Sequence, residues 1–138
     1  MRIVTGYEEA QGRQVHDVHE KNLGYDITSL DLNSGELRLI EVKGLAEATG
    51  TILLTPNERR VAEDRRDCYW LYVVTNCVTA GALAQAVAGK PTLQEPIKDP
   101  AGFSWHEVKK VAHYWLEVDA LTRPMKVGED PAPYATGD

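Results

Sequence analysis

Three charged side chains in the first third of the chain could act together on a phosphodiester. Asp26 stands in GYDITSLDL, and Glu41 and Lys43 stand in LRLIEVKG. Two carboxylates on neighbouring strands can hold a divalent cation. Magnesium takes oxygen ligands, keeps several waters and is usually bound by one or two carboxylates plus substrate phosphate. Such a cation can deliver a nucleophilic water and offset charge in the transition state. A lysine beside it can orient that water or meet the developing charge. The expectation is a Mg²⁺ or Mn²⁺ site built on Asp26 and Glu41, with Lys43 as its catalytic partner.

These residues need strands to position them. Residues 24–31 and 37–43 both read as β-strands, and Leu32-Asn33-Ser34-Gly35 between them has turn chemistry. If Asp31 and Glu36 flank that loop, Asp26 falls opposite Glu41, and directly opposed residues of an antiparallel pair share a face. Lys43 lies two residues from Glu41 and so points the same way, with Leu37 and Leu39. Arg38, Ile40 and Val42 point to the other side. A slip of one residue would separate the set. Charges flanked by apolar neighbours are costly unless paired or metal-bound. A plain cross-strand ion pair would account for the same residues without any function.

The rest of the chain supplies a scaffold. Residues 7–22 read as a helix, with Asn22-Leu23-Gly24 as its exit. Residues 51–54, TILL, read as a third strand. Thr55-Pro56-Asn57-Glu58 is a capping box with proline at the first helical position, opening a helix that runs to about Arg66. Residues 68–75, CYWLYVVT, read as a buried central strand. Further on, residues 79–89 suggest a short helix, and Ser104 with Glu107 a second capping box before a segment that fits helix or strand spacing. The order helix, three strands, helix, strand predicts an antiparallel meander joined in parallel to a later strand. That is an α/β fold with a mixed sheet and a C-terminal extension. Residues 1–122 read as one domain and 123–138, rich in proline, glycine and acid, as a flexible tail.

Composition narrows the classes. The chain has 138 residues, 43% apolar and 26% charged, as expected for a folded globular protein. No apolar run is long enough to span a bilayer, so no membrane partner is expected. The start, MRIVTGYEEAQGR, lacks the apolar centre of a signal peptide, and a cytoplasmic location is the expectation. Cys68 and Cys77 flank an extended segment too long for them to bridge, and are read as reduced. The net charge is −6, which argues against a broad electrostatic grip on nucleic acid. Arg59, Arg60, Arg65 and Arg66 cluster on one predicted helix; for Arg59 and Arg60 a solvated face is the first reading and contact with DNA phosphates the second. His16 and His19 fall three residues apart on the first predicted helix, and are read as exposed polar residues rather than ligands.

The blocks YEEAQGR, NLGYDITS, LIEVKG, LTPNE and DCYWLYVV, in that order, resemble one family. It is the nuclease-like domain found at the C-terminal ends of some bacterial and archaeal helicases and in plant proteins of the NO VEIN type. That family resembles the PD-(D/E)xK, or restriction-endonuclease-like, superfamily, and the resemblance spans residues 7 to about 100. It implies a restriction-endonuclease-like core and a magnesium-dependent nuclease acting on DNA, or on RNA. It also implies an association with a helicase, in the same chain or a partner, or with a defence system. The chain could be a fragment of a larger helicase, and homodimers are known in the superfamily. Asp26 and Glu41 then correspond to the metal ligands and Lys43 to the lysine of the E-x-K signature. Glu8 corresponds to a glutamate often supplied by the first helix. Thr55, Asn57 and Glu58 belong to the LTPNE block, where helix capping is a sufficient role. Two departures stand out: Tyr25 rather than proline precedes Asp26, and Asp26 falls on the first predicted strand, whereas many relatives carry it on the second. The alternative is a module that keeps the nuclease fold but only binds nucleic acid or protein.

Overall fold

The computed structural model describes residues 1–77, 90–109 and Met125. Helix α1 (Arg2–Ala10) leads into strand β1 (Arg13–Asp17), followed by β2 (Ile27–Asp31) and β3 (Leu37–Gly44). Helix α2 (Pro56–Asp64) precedes β4 (Tyr69–Thr75), and two short strands follow, β5 (Thr92–Leu93) and β6 (Ile97–Lys98). Among the described residues this makes two helices on a six-stranded sheet ordered β1-β2-β3-β4-β5, with β6 also on β4. β1, β2 and β3 form an antiparallel meander, and β3 pairs with β4 in parallel. The expected mixed sheet and the order helix, three strands, helix, strand are both found. The contacts group Met1–Trp105 as one compact unit and His106–Asp138 as another. No helix among the described residues is long and apolar enough to cross a membrane.

Strand alternation divides the core into two layers. Val4 of α1 packs on Ile27, Ile40, Tyr72 and Val74 on one face of the sheet. Ala62 of α2 packs with Leu39, Cys68 and Tyr69 on the other. The capping box that opens α2 forms as expected: Thr55 Oγ1 accepts from the Glu58 N–H, and the Glu58 carboxylate accepts from the Thr55 N–H. Cys68 and Cys77 are unbridged.

Three sequence expectations are corrected. The helix expected over 7–22 ends at Ala10, because Gly12 adopts a φ of +83° and turns the chain into β1. Asn22 still acts as a left-handed cap, but of a 3-10 turn, His19–Lys21. Residues 51–54 form no strand. β3 already has β2 on one edge and β4 on the other, so TILL cannot pair with it as the third meander strand, and Ile52 and Leu54 are half-buried in a loop. The third meander strand is β1 instead. Ser104 starts no helix, since residues 104–109 are irregular. The readings of 79–89 and of the tail from 123, apart from Met125, lie outside the described residues.

Candidate active site

Asp26 heads the second strand, not the first, because β1 occupies 13–17. The expectation that it falls on the first strand is thereby corrected. The β2–β3 ladder pairs Ile27 with Ile40 and Thr28 with Leu39, so one step further brings Asp26 level with Glu41, as the turn chemistry implied. The ladder stops there, and the Asp26 backbone takes other partners. Its N–H donates to the Ile40 carbonyl at 2.8 Å and its carbonyl accepts from the Val18 N–H at 2.8 Å. Its Oδ2 accepts from the Val42 N–H at 2.9 Å, so the carboxylate is tied to β3 itself. Gly24 lets the preceding loop press against α2: it has a φ of +90°, and a Cβ there would lie 2.7 Å from the Val61 side chain. The Tyr69 hydroxyl donates to the Gly24 carbonyl at 2.6 Å and locks that loop to β4.

Glu41 and Lys43 project from β3 on the α2 side, as strand alternation with Leu39 requires. Glu41 is only 2% exposed. One of its oxygens, Oε2, lies 3.2 Å from Lys43 Nζ. The other, Oε1, is buried with no hydrogen-bond partner, the one such side-chain atom among the described residues. Burial, then the charges of Asp26 and Glu58, push the Glu41 pKa up to about 8, and Lys43 offsets this only in part. Lys43 Nζ donates to Glu58 Oε1 at 2.9 Å. Burial works against the Lys43 charge, but Glu58 and Glu41 outweigh it and hold its pKa above the ordinary value. Burial likewise opposes the Glu58 charge, yet Lys43 and the Thr55 N–H hold that pKa below the ordinary value.

A buried carboxylate oxygen without a donor costs about 1–3 kcal/mol or more, so it marks a place where a cation or a proton belongs. Among the described residues no group of three or more His, Cys, Asp or Glu is placed to hold a metal ion. Asp26 and Glu41 offer two carboxylates, the usual protein complement for magnesium, with water and phosphate completing the shell. The donor set therefore fits a hard divalent cation and does not fit zinc, which prefers nitrogen and sulfur. An open cavity of about 730 Å³ borders Asp26 on the α1 side, lined also by Ile3, Gly6, Val42 and Val74.

Glu8 does not join this cluster. It is fully buried on the opposite face, where its carboxylate accepts from Arg13 at 2.8 Å, Ser29 at 2.9 Å and Tyr72 at 2.6 Å. Tyr72 alternates with Leu71 across β4, which stands beside Glu41, so the sheet lies between the two glutamates. The two arginines of α2 have local acceptors, Arg59 meeting Glu63 and Arg60 meeting Asn57; just beyond the helix Arg65 meets Cys68 Sγ and Arg66 meets Asp99. His16 and His19 are exposed, in β1 and a 3-10 turn rather than on a helix. Sequence reasoning missed Glu58 as a neighbour of Lys43. Its signal was present in LTPNE, but capping accounted for the glutamate and ended the search.

The fold and the cluster define a mixed-sheet domain with a helix on each face and an acidic cluster around one lysine. The chain belongs to the family Protein NO VEIN, C-terminal, whose model matches residues 1–86 and so takes in every element from α1 to β4. No curated protein and no solved structure matches the chain.

Proposed function

We propose that Asp26, Glu41 and Lys43 form the active site of a metal-dependent nuclease that hydrolyses DNA phosphodiesters, as in the PD-(D/E)xK enzymes the sequence resembles. The observation that carries this reading is the unpartnered, buried Oε1 of Glu41, beside Asp26 and 3.2 Å across its other oxygen from Lys43. Asp26 and Glu41 would hold Mg²⁺ or Mn²⁺, which when bound makes water more acidic and neutralises phosphate charge. Glu41 must give up its proton to act as a ligand, so cation affinity rises with pH up to about 8. Lys43 stays charged throughout this range and is placed to orient an attacking water or a phosphate oxygen. Asp26, tied through Oδ2 to the Val42 N–H, keeps its other oxygen for the cation.

The net charge of −6 and the pairing of Arg59, Arg60 and Arg66 with acceptors of this same chain leave little surface for gripping DNA. A helicase segment, in the same chain or a partner, would supply that grip, and pairing of two copies would allow both strands to be cut. The test is incubation with duplex, flap and single-stranded DNA, and with RNA, in Mg²⁺ or Mn²⁺. Cleavage abolished by Lys43→Ala is expected; no cleavage of any substrate sinks the reading.

The same charge favours a second reading, a domain that keeps the fold and binds without cutting. It predicts binding indifferent to Glu41→Gln. Calorimetric titration with Mn²⁺ separates the two, since a cation site lost in both Asp26→Asn and Glu41→Gln supports the enzyme.

A further inference from the structure

We infer that Glu58 is the positioning residue for Lys43, and that the capping box of α2 is the device that aims it. The inference rests on the nuclease reading only for its kinetic consequence. Glu58 Oε1 accepts two donors: the Thr55 N–H at 2.9 Å and Lys43 Nζ at 2.9 Å. Its backbone N–H is in turn held by Thr55 Oγ1 at 3.1 Å. The carboxylate is therefore fixed at both ends by one helix start and cannot swing away with a free side chain. An ordinary capping glutamate is solvated, whereas this one is only 18% exposed and lies against a charged lysine on the next element.

The two acceptors of Lys43 are unequal. Glu41 lies at 3.2 Å and Glu58 at 2.9 Å. A cation between Asp26 and Glu41 would engage the Glu41 carboxylate, which leaves Glu58 as the anchor of the ammonium group. Lysine has a long stem and three rotatable donors, so its aim depends on what holds its tip. Proline at position 56 and the reciprocal cap fix the first turn of α2, and Glu58 passes that rigidity to Lys43. A misplacement of about 1 Å at a reacting centre can cost about a hundredfold in rate.

Capping and positioning can be separated by chemistry. Glutamine also serves at the third position of a capping box, so Glu58→Gln keeps the acceptor for Thr55 and removes the charge that holds Lys43. Thr55→Ala removes the cap hydroxyl and keeps the Glu58 carboxylate. The measurement is the order parameter of the Lys43 ammonium group by NMR on the isotope-labelled full chain without substrate, alongside the unfolding midpoint. The Lys43 ammonium should lose most of its order in Glu58→Gln and Glu58→Ala and a smaller part of it in Thr55→Ala, which loosens the cap but keeps the carboxylate, with Glu58→Gln as stable as the wild type. In a cleavage assay Glu58→Gln should lower kcat about ten- to a hundredfold with KM unchanged. Lys43 order unchanged in the Glu58 variants overturns the inference, and so does equal loss in Thr55→Ala. If Glu58→Ala fails to fold, Glu58→Gln decides alone. Order lost in a wild-type background that cleaves nothing defeats the nuclease reading and leaves the positioning role standing. Lys43-dependent cleavage with undisturbed order does the reverse.

Discussion

The sheet separates two buried glutamates with opposite fates. Glu8, under α1, is fully buried and receives donors from Arg13, Ser29 and Tyr72. The network runs on: Arg38 donates to the Tyr72 hydroxyl at 2.9 Å and stacks on Trp70, with its guanidinium carbon 3.7 Å from the ring centroid. Glu41, under α2, is as deeply buried but keeps one oxygen without a donor and a pKa of about 8. Burial is equal, and satisfaction is not. A buried charge whose lone pairs are filled from three elements ties those elements together. One left half-filled beside a lysine and two more acids stays costly while it is ionised, which is why its pKa is pushed up. Burial of a carboxylate therefore says little about function until its partners are counted.

Removing Glu8 should have the largest effect. Glu8→Ala strands Arg13, Ser29 and Tyr72 and should cost about 3–5 kcal/mol in urea unfolding. A loss below about 1 kcal/mol would erase the contrast between the two faces.

Glu41 should instead make stability depend on pH. The folded protein keeps its proton up to about 8, whereas the unfolded chain gives it up near the ordinary value of 4.5. Between those values the folded state binds more protons, so stability falls as pH rises, with a slope approaching about 1.4 kcal/mol per pH unit. Glu41→Gln should flatten this part of the profile. An equally steep profile in the variant would assign the dependence to another group.

A cation should reverse the penalty. Mn²⁺ at about a hundred times its Kd should stabilise the protein by about 2.7 kcal/mol, more at pH 8 than at pH 6. Calorimetric scans of Asp26→Asn should show no such gain, while Glu8→Gln should keep it. A gain lost in Glu8→Gln would join the two faces into one site.

Smaller effects bound the comparison. Thr55→Ala should cost about 1 kcal/mol by loss of the cap. A double-mutant cycle on the exposed Arg59–Glu63 pair should give about 0.5 kcal/mol or less, the level at which an ion pair signals nothing but solvent.

Much of the scaffold was legible because its causes are local. The Thr55-Pro56-Asn57-Glu58 cap and the turn between Asp31 and Glu36 each depend on a few consecutive residues. That turn set the β2–β3 register and so the pairing of Asp26 with Glu41. Alternation along β3 then put Glu41 and Lys43 on one face without any knowledge of what would cover it. The helix expected over 7–22 gave way because the turn at Gly12 and the open edge of β2 put residues 13–17 in a strand.

The sequence by itself thus determined that Asp26, Glu41 and Lys43 share one face, and where the helix beside them starts. Tertiary structure decided what those residues meet. It denied TILL the place of third meander strand because both edges of β3 were taken, and moved Asp26 to the head of the second strand. It put Glu8 across the sheet and brought Glu58 to Lys43. The reason is range: caps, turns and alternation act over two to four residues, whereas sidedness depends on contacts between elements, and Glu8 meets Tyr72 across 64 residues of chain.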